Sequence, residues 1–122
     1  MPLDSTPNWN TTGIQKELST MKKIKIKKIK EVGRLIAPPD SIRLKSGYVE
    51  LKPRQSIGEH VTKAKEEIII ILQGEATVIV EDKASSVKKG HLVYISPNKK
   101  HNIRNDSSKN LKYIYITSSI PR

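Results

Sequence analysis

At 122 residues the chain has the length of one domain, with room for a single core. It has no cysteine, which excludes disulfides, thiolate metal sites and a catalytic thiol. Its net charge is +11, but the lysines are scattered and lack interleaved aromatics, which disfavours nucleic acid and leaves an anionic small ligand as the partner to consider.

Residues 1–20 read differently from the rest. They hold Pro2, Pro7, Asn8, Asn10 and Gly13, with few periodic apolar positions. Residues 1–21 are therefore expected to be an extension, either flexible or draped over a partner subunit with Trp9 and Ile14 as anchors. Residues 22–122 are expected to form the single folded domain. The N-terminus lacks the basic start and apolar stretch of a secretion signal. No apolar run approaches the ~20 residues that span a bilayer, so a cytoplasmic protein is expected.

The stretch 22–30, KKIKIKKIK, sets Ile24 and Ile26 on alternate positions and reads as a short, lysine-protected edge strand. Pro38-Pro39-Asp40 marks a turn. Further strands are expected at 42–51, 67–72, 76–80, 85–88, 92–95, 101–104 and 111–117. Gln73-Gly74, Glu81-Asp82-Lys83, Lys89-Gly90, Pro97-Asn98 and 105–110 break them. Short β-branched segments with turn signals at this spacing point to an all-β sandwich or barrel. The run Ile68-Ile69-Ile70-Ile71 is apolar on both faces, so one face can line a core while the other needs cover. A homodimer would supply that cover.

On a strand, residues two apart share a face, so His60 and Thr62 point the same way. Glu67 opens the next strand, and His101 heads another after the Pro97–Lys100 turn. Two imidazoles and a carboxylate suit a divalent metal such as Fe, Mn, Ni or Zn. Spacing alone also allows a polar, metal-free lumen in which the three simply hydrogen-bond. Adjacent strand residues face opposite ways, so Glu66 should stay solvated while Glu67 turns inward. His91, just after Gly90, reads as a surface residue.

These spacings resemble the cupin family. Its first motif runs Gly, five residues, His-x-His, three or four residues, Glu, six residues, Gly. Here His60-Val61-Thr62, then Glu67 and Gly74, follow it, with the opening Gly missing and Pro53 nearby. Its second motif runs Gly, five residues, Pro-x-Gly, two residues, His, three residues, Asn. Gly90, Ser96-Pro97-Asn98, His101 and Asn105 follow that, with Ser96 at the Pro position and Asn98 at the Gly position. Asn tolerates the same left-handed backbone.

The resemblance covers roughly residues 40–118. It implies an all-β double-stranded β-helix, a jelly-roll barrel that is often dimeric and carries a metal in its lumen. Family ligands carry over to His60, Glu67 and His101, while Thr62 stands where the family has a second histidine of its first motif. The implied activity is binding of a divalent metal and a small anionic metabolite, with isomerase, lyase or oxygenase chemistry open. The alternative is a metal-free, non-catalytic ligand-binding or structural dimer. Lys99, Lys100, Arg104 and Tyr94 are the candidates for contacting substrate, and Lys63 and Lys65 also lie beside the motif turns.

Overall fold

A computed structural model of the protein describes residues 24–121. The extension expected over residues 1–21 lies outside the described residues. Among those described there is no helix, and none long and apolar enough to cross a membrane. The strands are β1 (Gly33–Ile36), β2 (Leu44–Leu51), β3 (His60–Val61), β4 (Lys65–Gln73), β5 (Glu75–Val80), β6 (Lys83–Lys88), β7 (Leu92–Ile95), β8 (Lys100–Arg104) and β9 (Leu111–Ser119).

They form two antiparallel sheets, one ordered β1-β2-β9-β4-β7 and the other β3-β8-β5-β6. After β2 the chain passes from sheet to sheet at almost every connection, which is the winding of a double-stranded β-helix. The sheets face each other without joining through a continuous backbone ladder, so the barrel is not closed. Turn-forming residues of the two sequence motifs sit where the chain changes sheets. Gly74 lies at the corner between β4 and β5, at φ +84°, and a Cβ there would lie 2.5 Å from the Asn110 carbonyl oxygen. Only glycine fits that corner. Asn98 lies between β7 and β8 at φ 64°. Its side chain accepts from the Ala64 N–H at 3.0 Å, and its own N–H donates to the Thr62 carbonyl at 3.1 Å. The two motif turns are thereby tied together.

The core lies between the sheets and follows the period-two pattern. Ile69 and Ile71 of β4, Tyr113 and Leu111 of β9, Ile95 of β7, Ala76 and Val78 of β5, and Ile103 of β8 are all buried. Burying each large aliphatic side chain contributes about 1.5–3 kcal/mol. The alternate positions of the five-stranded sheet, Ile68, Ile70, Ile114 and Ile116, face outward and are only partly buried. Leu92 and Tyr94 continue that face and are exposed.

Two expectations shift. Residues 24–30 are not a strand: Ile24 and Ile26 are exposed, and Lys25 Nζ donates to the Asp40 carbonyl. Lys/Ile alternation is compatible with a strand but supplies no ladder partner, and the edge beside β2 is taken by Gly33–Ile36, which reads as no strand by pattern. The strands expected at 42–51, 67–72 and 111–117 begin or end within two residues of β2, β4 and β9.

Candidate metal centre

The site is built where the two sheets face each other at one end. The four-stranded sheet supplies both histidines. β3 and β8 pair so that His60 is directly opposite His101, with ring centroids 4.2 Å apart and planes tilted by 59°. The five-stranded sheet supplies Glu67 from β4, turned inward and 7% exposed. One ligand atom from each of His60, Glu67 and His101 lies within 4.8 Å of the others.

Both imidazoles are held in the same way. His60 Nδ1 is 3.0 Å from the Gly58 carbonyl, and His101 Nδ1 is 2.9 Å from the Lys99 carbonyl. A carbonyl can only accept, so each Nδ1 carries the hydrogen and each neutral ring keeps its Nε2 lone pair free. This is the tautomer a metal requires, fixed by a backbone oxygen two residues earlier in the chain.

His101 Nε2 is 3.1 Å from Glu67 Oε1. It is buried, yet no aligned hydrogen bond satisfies it. In the neutral ring Nε2 has no hydrogen to give Glu67; protonation supplies one, and the bond to the carboxylate then forms. The adjacent Glu67 carboxylate raises the His101 pKa above the ordinary imidazole value; burial pulls it down, and the Lys99 carbonyl raises it again. A buried nitrogen without an aligned partner, next to a buried carboxylate oxygen, fits a cation between them.

Thr62 supplies a hydroxyl at the family's second histidine position. Its Oγ1 donates to Glu67 Oε1 at 3.4 Å, a long bond that still marks it as the neighbour of the carboxylate. Asn105, the last residue of the second motif, is fully buried and has a structural job. Its Nδ2 donates to the carbonyls of Leu51 and Lys109 at 2.9 and 2.7 Å, and its Oδ1 accepts from Ser107 N–H at 3.1 Å. These bonds hold the connection into β9.

The sequence of residues 47–117 matches the cupin domain family. The chain is a cupin. Solved structures share the fold. A predicted oxalate decarboxylase from Thermotoga maritima is 24% identical, with a TM-score of 0.60 over 62% of this chain and 66% of that one. The cupin domain of Cnp3 from Schizosaccharomyces pombe is 18% identical, with a TM-score of 0.67 over 72% and 63%. A cupin 2 conserved barrel domain protein from Salinispora arenicola is 21% identical, with a TM-score of 0.65 over 72% and 74%. This cupin spans just under two thirds of the length of the first two. No curated protein matches its sequence.

The candidate substrate residues are placed elsewhere. Tyr94 pairs with Ile68 on the outward face, and its hydroxyl donates to Glu66 at 2.9 Å. Glu66 is accordingly exposed on the face opposite Glu67. Lys100 and Arg104 alternate with the buried His101 and Ile103, so they point away from the site. Lys100 Nζ is 3.8 Å from Asp82, and Arg104 pairs with Asp106 at 2.9 Å. Lys99 is exposed and contributes its carbonyl to His101. His91 is exposed beside the Gly90 turn.

Register also brings in residues that the motifs did not single out. Thr117 of β9 pairs with Glu67 on one side and Lys45 of β2 on the other, and Tyr115 pairs with Ile69 and Gly47 in the next row. Tyr113 follows inward; burial first, then the Glu67 charge, pushes its phenol well above the usual range. Period two along β2 and β9 gives their faces, but only the pairing shows that these faces meet Glu67.

Proposed function

We propose that this cupin binds one divalent metal through His60, Glu67 and His101, and a small anionic metabolite beside it. The observation that carries this reading is the matched pair of imidazoles. Each is held through Nδ1 to a carbonyl, so each Nε2 keeps its lone pair for a cation, and the two rings and Glu67 each bring one ligand atom within 4.8 Å of the others. Fe, Mn, Ni and Zn all suit two imidazoles and a carboxylate.

A bound metal supplies Lewis-acid polarisation of a substrate oxygen. The chain's own residues do the rest. Glu67 holds the cation's charge in a buried setting, the two backbone carbonyls orient the rings, and the exposed His60 leaves the site open to solvent and ligand on its side. Among the described residues no second acidic group joins this cluster, so isomerase, lyase or oxygenase chemistry would draw its proton transfers from the substrate or solvent. The Thermotoga maritima relative is described as a predicted oxalate decarboxylase, which supports a small carboxylate as the ligand class.

Thr62 favours a second reading. With a hydroxyl in place of the second histidine, the ligand set drops to three, and a metal-free binding or structural barrel becomes the rival. Metal analysis of protein purified without an affinity tag decides between them. Near-stoichiometric metal that disappears in His101→Ala supports the metalloprotein; metal-free protein that stays folded and cannot be loaded supports the rival.

We further propose a homodimer in the cytoplasm. The outward face of Ile68, Ile70, Ile114 and Ile116, continued by Leu92 and Tyr94, supports the dimer. The absence of cysteine fits a reducing compartment.

A further inference from the structure

The five-stranded sheet places two lysines on the site-facing surface that bracket Glu67. Lys45, Thr117 and Glu67 form one cross-strand row across β2, β9 and β4. Residues in one row share a face, and Lys45 is two strand spacings from Glu67, roughly 10 Å between backbones. Lys65 precedes Glu67 by two residues on β4 and so shares its face, roughly 7 Å away. Both lysines are half-buried. Among the described residues neither has a carboxylate at ion-pair distance, unlike Lys100 and Arg104. A lysine stem packed along the sheet with no carboxylate partner leaves its ammonium free to meet an anionic ligand. Lys45 and Lys65 thus put two positive charges on the face that carries Glu67, with no carboxylate partner among the described residues.

We propose that Lys45 and Lys65 form the second pole of a dicarboxylate site: one carboxylate of the ligand faces the His60–Glu67–His101 group, and the other is taken by the two ammonium groups. The proposal rests on the metal reading above and adds the ligand class and the residues that select it. It also gives the cations a role that Lys100 and Arg104, on the opposite face, cannot fill.

The test uses the full chain loaded with Co2+, whose uptake is followed by its visible absorption. Malonate and acetate are then titrated by calorimetry. The wild type should bind malonate at least about tenfold tighter than acetate, the worth of one charge-assisted contact. The double variant Lys45→Met/Lys65→Met should lose that preference while its Co2+ affinity stays within about twofold. Lys45→Arg should keep the preference, and Lys100→Met, which removes a charge on the far face, should not alter it. A wild type with no malonate preference, or a double variant that retains it, overturns the proposal and leaves the metal reading standing. If the wild type takes up no Co2+, the metal reading fails, and the same two titrations on metal-free protein decide this one: a malonate preference lost in the double variant supports it, and no preference overturns it.

Discussion

His60 and His101 are cross-strand partners, and each is tied through Nδ1 to the carbonyl of the residue two before it. One backbone device, used twice on neighbouring strands, sets both rings in the same tautomer. Glu67 reaches them from the opposing sheet, so the centre exists only when the two sheets pack. The consequences can be measured.

Metal affinity should fall in acid. A protonated His101 cannot ligate, and its pKa in the metal-free fold is raised by Glu67. A raised value means that the metal-free protein gains stability from this group below its unfolded pKa of about 6.5, and loses that gain as pH rises through the folded value. Urea melts of metal-free protein between pH about 5.5 and 8.5 should show this decline in the wild type and not in His101→Gln. Co2+ titrations across the same window should show affinity moving the opposite way.

Thr62→His should tighten metal binding. Thr62 already lies beside Glu67, with its hydroxyl 3.4 Å from Oε1. A fourth imidazole-or-carboxylate ligand should raise Co2+ affinity at least about tenfold, in line with the sensitivity of metal sites to their ligand shell. Competition with a coloured chelator reads the change directly. Unchanged affinity would show that position 62 does not reach the metal.

Asn105→Ala should destabilise the fold by about 3 kcal/mol, because it strips partners from two backbone carbonyls and one N–H. Metal stoichiometry in the surviving folded protein should be unchanged. Chemical denaturation and metal analysis of the same sample separate the two effects.

Gly74→Ala should cost about 2 kcal/mol or more, since it combines a positive φ with a Cβ 2.5 Å from the Asn110 oxygen. A thermal melt checks it; Gly90→Ala, where a Cβ would meet nothing within 4 Å, should cost less.

Ile70→Glu should convert the protein to a monomer without unfolding it, because Ile70 lies on the outward face opposite Ile114 and Leu92. Sedimentation of wild type and variant at micromolar concentration tests this; a monomeric wild type would end the dimer reading.

Much of this protein was legible in its residues because strands and turns leave local marks. The alternation of Ile69 and Ile71, the breaks at Gly74, Gly90 and Pro97-Asn98, and the order of His60, Glu67 and His101 pointed to the double-stranded β-helix and its polar cluster. Alternation also separated Glu67 from Glu66. The KKIKIKKIK stretch misled for the converse reason: alternation describes a chain able to join a ladder, and joining needs a neighbour. Lys100, Arg104 and Tyr94 were close to the motifs along the chain, but in strands proximity in sequence puts alternate residues on opposite faces.

The order and spacing of the motif residues marked the fold family, and through that resemblance named His60, Glu67 and His101 as candidate ligands, since turn formers and strand residues leave short-range marks. Only the tertiary structure decided what surrounds them. Which strand lies beside β4, and in what register, is a non-local property of packing and hydrogen bonding. That register is what sets Lys45, Thr117 and Glu67 in one row.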